Sequence, residues 1–306
     1  MRCVRERNAA PNRMLTHGHA PTVWAWFAPH GLLPSPSRMA EYRTLRLDSF
    51  NLTSKIEIDR VESARVDAEL HAARARYESL LFDSFPGAYF ENFRVGVFGA
   101  THDAHTPDEV ACISSITRRL GEQYGASIVT GGGSSGMMLA AAAGLAAAKA
   151  EAQKAGKPTT SQNIGVMMDF APGERPNNLL DVTDKTNNFS TRIEEFIRIT
   201  HGAYIAPGGI GTRLEATMFF QLKQLGWLEA SYPVVAHPFW KPMVEQSHQL
   251  MFTQRVRDGK APLTGPNDLA FLRYSDDVEE VVAIFGEAHK AWLKLREKVA
   301  WKPAGK

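Results

Sequence analysis

The chain predicts an α/β protein: a Rossmann-like, doubly wound parallel sheet with an N-terminal helical extension. Three observations predict it. From Arg94 onward, short apolar runs alternate with amphipathic helical patterns, as in a parallel sheet covered on both faces. Two of those runs end in glycine-rich turns, Gly131–Gly136 and Gly208–Gly211. In open parallel sheets, ligands bind at the carboxyl ends of strands, where these turns fall. The composition, 44% hydrophobic and 22% charged over 306 residues, is that of a globular chain and excludes a disordered or collagen-like one.

The elements follow in order. Lys55 to Leu81 is highly charged, with Ile56, Ile58, Val61, Leu70, Ala73, Tyr77 and Leu80 at roughly helical spacing. One long amphipathic helix is expected there, ended by Phe85-Pro86-Gly87. Arg94–Gly99 reads as the first strand. Pro107–Tyr124 reads as a helix, with proline in its first turn and acids close behind. Ser127–Thr130 is the second strand, the alanine-rich Met137–Ala155 a tightly packed helix, and Asn163–Met168 the third strand. Leu179–Val182 is expected as a strand and Thr191–Thr200 as a helix. Then come strand Ala203–Ala206, helix Thr212–Leu228, strand Pro233–Ala236 and helix Trp240–Arg257. Strand Ala270–Arg273 and a closing amphipathic helix Asp276–Arg296 complete the series. The expected organisation is a disordered basic extension over 1–45, a helical segment over 46–92, a Rossmann-like domain over 93–296 and a tail over 297–306.

Charge is uneven. Residues 1–38 hold Arg2, Arg5, Arg7, Arg13 and Arg38 against Glu6 alone, a charge of +4, which leaves −2 on the rest of a chain whose net charge is +2. The near-neutral body gives no electrostatic footprint for nucleic acid. The basic start also fits an Arg-rich targeting peptide. Against that reading, Pro21, Pro29, Pro34 and Pro36 break up regular structure, and Met39 offers an alternative start. Residues 1–38 are therefore expected to be dispensable. No apolar stretch is long enough for a transmembrane helix. The two cysteines, Cys3 and Cys112, lie far apart, without metal-type spacing, which suits a reducing, cytoplasmic setting.

Gly131–Gly136 matches G-x-G-x-x-G, a weak signal alone. It follows the second strand rather than the first, and the nearest candidate acid, Asp169, lies 33 residues after Gly136. Both facts disfavour a dinucleotide site. The glycines still let backbone N–H groups approach an anion at a helix start. The stretch Ala206-Pro207-Gly208-Gly209-Ile210-Gly211-Thr212-Arg213-Leu214-Glu215 is stronger. Three glycines within four positions leave the backbone uncovered where a helix begins, with the Thr212 hydroxyl as an added donor. No Lys-Ser/Thr pair follows, so it is not a Walker loop. Spacing alone favours a bland role for Glu215, since Thr212-x-x-Glu215 has the form of a capping box. His102-x-x-His105 forms half a metal site at most and reads as loop residues.

Together these residues resemble the LOG-type family of nucleoside 5′-monophosphate phosphoribohydrolases, whose members often carry a lysine decarboxylase label. The signature is P-G-G-x-G-T-x-x-E with an upstream G-G-G-x-x-G. Val129–Gly136, Ile164-Gly165-Val166 and Gln224-Leu225-Gly226 resemble further family segments, and Arg192 stands where the family has the arginine of R-K-x-x-M. The chain departs from the pattern at Ile193 (lysine in the family), at Phe196 (methionine) and at Gly99-Ala100-Thr101-His102 (G-S-S). A decarboxylase would need a lysine-bound pyridoxal phosphate, and neither glycine-rich segment contains lysine.

The resemblance implies hydrolysis of an N-glycosidic bond, releasing a free base and ribose 5-phosphate from AMP or a cytokinin-type nucleotide. It raises Glu215 from cap to catalytic carboxylate, stabilising the positive charge that develops on the ribose. It assigns Arg192 to the phosphate or the leaving base. Gly208, Gly209, Gly211 and Thr212 would bind the 5′-phosphate. Gly132, Gly133 and Ser134 would line the nucleotide opposite, with Gly99 at the same edge. It implies no metal or redox cofactor, a small-molecule nucleotide partner and a homodimer or higher homo-oligomer. The alternative is a non-catalytic nucleotide sensor or cofactor carrier on the same fold. An NAD(P)-binding protein rests on G-x-G-x-x-G alone.

Overall fold

The computed structural model describes residues 90–101, 105–157, 159–168 and 175–298. The extension, the long helix expected over Lys55 to Leu81 and His102 lie outside the described residues, as do 299–306 of the expected tail.

Seven strands form one parallel sheet: β1 Arg94–Phe98, β2 Ser127–Thr130, β3 Asn163–Met168, β4 Val182–Thr186, β5 Ala203–Ile205, β6 Val234–Ala236 and β7 Arg273–Tyr274. Their order is β4-β3-β2-β1-β5-β6-β7. The chain works outward from β1 to β4, then returns to the other side of β1, where Gly96 pairs with Ala203 and Phe98 with Ile205. The loops leaving β1 and β5 therefore diverge, and the crevice of a doubly wound sheet opens between them.

Among the described residues from β1 onward the α-helices are α1 Pro107–Tyr124, α2 Gly136–Lys154, α3 Phe189–Ile199, α4 Ile210–Gln224, α5 Lys241–His248, α6 Gln254–Arg257 and α7 Val278–Lys298. Alternation along the strands divides the core in two. Val95, Val97, Ile128 and Tyr204 point toward α1, α2 and α7, where Ile113, Leu145 and Phe285 cover them. Phe98, Val129 and Ile205 point toward α3, α4 and α5, against Phe196, Phe219 and Val244. The alanine run lets α2 lie close to α1. A methyl group at Gly144 would strike the Ser114 carbonyl and the Thr117 hydroxyl.

Several expected boundaries move. β4 is Val182–Thr186 rather than Leu179–Val182. Leu179 and Leu180 instead form a turn on Asn177, whose side-chain oxygen accepts from the Leu179 N–H at 2.8 Å. The true strand is polar because it is the sheet edge and is mostly exposed. β7 is Arg273–Tyr274, since turns closed by Ala270 N–H to Asn267 and Leu272 N–H to Leu269 hold the preceding residues out of the ladder. The single helix expected over Trp240–Arg257 is a 3-10 turn at Pro238–Trp240, α5, a π turn at Gln249–Thr253 and α6. The closing helix runs past Arg296 to Lys298.

Candidate functional site

Two of the four helices that follow β1, β2, β4 and β5 are capped, and two are not. Thr106 and Glu109 form a full capping box on α1, and the Asn188 side chain caps α3. α2 and α4 have no side-chain cap and no acid in the first turn. Ser135 stands at the N-cap of α2, but its hydroxyl donates across to the Thr101 carbonyl in the β1 loop. The N-cap of α4 is Gly209, and the first intrahelical bond runs from Arg213 N–H to the Gly209 carbonyl at 3.0 Å. The amides of Ile210, Gly211 and Thr212 consequently lack intrahelical acceptors and carry the positive end of the helix dipole.

This geometry corrects one sequence expectation. Thr212 is the third residue of α4, not its N-cap, so Thr212-x-x-Glu215 is not a capping box. Glu215 lies beyond the first turn and cannot serve the helix start in that way.

The carboxyl ends of β1 and β5 open into a cavity of about 190 Å³. Its walls bring together Gly99, Arg192, Gly209, Gly211, Thr212 and Glu215 from the residues singled out in the sequence. Methyl groups built at Gly209 and Gly211 meet nothing within 4 Å, so the glycines leave open backbone there. Gly208 lies behind the wall, where a methyl group would strike Thr212 and come within 3.0 Å of the Ala100 nitrogen. Thr212 is buried, and Glu215 is half-buried one turn further along α4.

Arg192 reaches the cavity from α3. Its Nε donates to the Val166 carbonyl at 2.8 Å and one Nη to the Gly131 carbonyl at 3.0 Å, and the guanidinium lies 5.4 Å over the Phe196 ring. The side chain that the resemblance assigns to the phosphate or the leaving base thus has two donors on the backbone. It ties β3 to the β2 loop while facing the cavity. Phe196, in the family's methionine position, supplies the platform. Ile193, in the lysine position, is buried and not on the wall.

Gly132, Gly133 and Ser134 do not reach the wall among the described residues. Gly132 takes φ +80° and packs on Met167 and Gly165; Gly133 packs on Met138 and bridges to Pro176; Ser134 is exposed. Gly131 is the glycine of that loop on the wall, and a side chain there would strike Arg192. Thr101, Met138 and Ile210 also line the cavity unforeseen. Thr101 falls in the stretch 99–102 where the chain departs from the family pattern. Gln224, of the Q-L-G segment, is structural: it donates to Asp268 at 2.7 Å, and Gly226 closes the helix at φ +70°. Among the described residues no cluster of three or more His, Cys, Asp or Glu could hold a metal, and no helix is long and apolar enough to cross a membrane.

Fold and site define an α/β protein with a cavity at its topological switch point, walled in part by an uncapped helix start. A family model described as possible lysine decarboxylase matches residues 141–284, just under half of the chain. This match lies within the resemblance and supports a LOG-type assignment. Two solved structures are similar over about two thirds of the chain. The molybdenum cofactor carrier protein from Chlamydomonas reinhardtii shares 16% identity at a TM-score of 0.46, over 65% of this chain and 98% of that one. The molybdenum cofactor binding protein from the phototrophic bacterium Rippkaea orientalis shares 17% at 0.42, over 64% and 98%. No curated protein is significantly similar in sequence.

Proposed function

We propose that the chain hydrolyses the N-glycosidic bond of a nucleoside 5′-monophosphate. The observation that carries this reading is the shared cavity: an uncapped helix start, bare at Gly209 and Gly211, opens onto the same space as Glu215 and Arg192. A phosphate seated on the first-turn amides of α4 receives fixed donors and a favourable dipole. The attached ribose then lies toward the second turn, where Glu215 stands. As the bond to the base breaks, positive charge spreads over the ring oxygen and C1′. The carboxylate opposes that charge and orients the water that attacks C1′. Arg192, fixed by two carbonyls and stacked on Phe196, faces the same cavity as a rigid cation. The products are a free base and ribose 5-phosphate.

A second reading is favoured by the burial of Ile193 and by the two Arg192 donors on backbone carbonyls. Both reduce the charged groups offered to a ligand, as in a site that holds a nucleotide without cleaving it. Incubation with AMP, other monophosphates and N6-substituted adenine nucleotides separates the two. The hydrolase reading expects free base by chromatography. Binding without release of base by purified protein defeats it in favour of the carrier.

We also propose a homodimer. Ile210 and Leu214 of α4 and Leu225 at its C-cap are 82%, 45% and 54% exposed and fall within one narrow arc of the helix. Sedimentation of the full chain should give a dimer, and Leu214→Glu should shift it to monomer.

A further inference from the structure

The chain leaves β5 by an unusual set of hydrogen bonds. Ala206 N–H donates to the Phe98 carbonyl at 2.8 Å, which continues the ladder to β1. The N–H of Ala100 then goes to the carbonyl of Pro207, at 3.2 Å, and not to that of Ala206. The Ala206 carbonyl is turned aside and accepts from the indole Nε1–H of Trp240 at 2.9 Å. Ala206 is fully buried and Trp240 nearly so, so water cannot replace this bond. On the β6 side no backbone donor competes. His237 N–H bonds to Ile205, Pro238 has no N–H, and the chain folds into the 3-10 turn that carries Trp240.

We infer that Trp240 is a positioning residue for the glycine-rich loop. Its indole fixes the direction in which the chain departs from β5, and thereby where the amides of Ile210, Gly211 and Thr212 point. Two residues separate the held carbonyl from Gly209, the N-cap of α4. Trp240 is not among the residues that line the cavity, so its effect on a ligand is indirect, through this bond or through its packing in the core. The inference rests on the phosphate-cradle reading of Gly208–Thr212.

Two variants of the full chain separate positioning from simple core packing. Trp240→Phe keeps most of the ring bulk and removes the donor. Trp240→His removes the benzo ring but places an Nε2–H where the indole N–H was. If positioning governs, Trp240→Phe weakens binding of AMP and of inorganic phosphate ~10-fold or more, as loss of one buried bond implies, and Trp240→His stays within ~3-fold of the parent. Packing alone gives the opposite order, with affinity following thermal stability, and overturns the inference. Exchange of the Trp240 indole proton, followed by NMR in the unmutated chain, needs no variant. It should slow when inorganic phosphate saturates the site, and an unchanged rate counts against positioning. A parent chain that binds neither AMP nor phosphate defeats the cradle reading, and this inference with it. A parent that binds both, beside a Trp240→Phe chain that binds equally well, overturns the inference alone.

Discussion

Glu215 shows how much one residue's meaning depends on where its helix starts. By spacing it belongs to a capping box; with Gly209 as the N-cap, that role is closed. Glu215→Gln keeps the shape and removes the charge. Under the hydrolase reading it should lower kcat ~10²-fold or more while phosphate still binds, since the cradle is backbone. A turnover number equal to the parent's would leave the chemistry without its carboxylate. Gly211 gives a complementary prediction. Its φ is not left-handed and an added methyl meets open space, so Gly211→Ala is compatible with the fold. In a helix it should stabilise by ~0.5–1 kcal/mol. The same methyl occupies the place of the phosphate, so AMP affinity should fall at least ~10-fold on the scale of one displaced group. Calorimetry for stability and titration for binding should therefore move in opposite directions. A parallel loss of both would mean that the glycine serves the fold.

At the scale of elements, most of the sheet was legible because buried parallel strands are short apolar runs with little else to be. β2 and β3 and helix α1 fall at the expected residues, and the carboxyl-end placement of both glycine turns follows from them. The edge strand β4 was not legible. Val182–Thr186 pairs on one side only, so nothing requires it to be apolar, and the apolar pair Leu179-Leu180 beside it drew the assignment away. Of the cavity wall, Gly99, Gly209, Gly211, Thr212, Glu215 and Arg192 were legible, while Gly132, Gly133, Ser134 and Gly208 were singled out and do not line it. The wall was not legible in Gly131, which packs against Arg192 arriving from a helix 61 residues later, nor in Met138. The end of α4 gives a prediction at this scale. Lys223 Nζ donates to the carbonyls of Glu229, Ala230 and Tyr232, at 2.5, 2.9 and 2.7 Å, and gathers the loop to β6 around one ammonium. Lys223→Met leaves those carbonyls to water and should cost about 1–3 kcal/mol of unfolding free energy. Nucleotide affinity should be unchanged, because the cradle lies at the other end of the helix. Denaturant titration and a binding isotherm test the two halves separately.

For the whole molecule, the closing helix sets how the fold responds to acid. α7 packs on α1 and on Phe93, the residue before β1, through a group of rings. His289 stands 5.1 Å from Phe93, 5.2 Å from Tyr124 and 5.7 Å from Trp292. Burial holds its imidazole below the ordinary histidine range. His237, at the end of β6, is lowered by burial too, against the opposing pull of Asp276 and Glu109. A base whose pKa is depressed in the fold binds fewer protons folded than unfolded once the pH falls below ~6.5. Its contribution is complete above that value and is lost as the pH falls through the folded pKa. The lowered carboxylates, Glu109 through bonds from Thr106 and Asp268 through bonds from Thr264 and Gly265, act in the same direction but only in stronger acid, below ~4. Asp184 and Glu194, raised by burial, take up protons more readily in the fold and oppose the loss. Between neutrality and mild acid the lowered histidines steepen the loss and the raised carboxylates flatten it. The part of the unfolding free energy carried by His289 should decline as the pH is lowered from 7 toward 5. His289→Phe keeps a ring among Phe93, Tyr124 and Trp292 and removes the titration. Its decline over the same interval should be shallower than the parent's in urea titrations at matched ionic strength. Parallel declines in the two proteins would show that the buried imidazole of α7 does not carry the acid sensitivity.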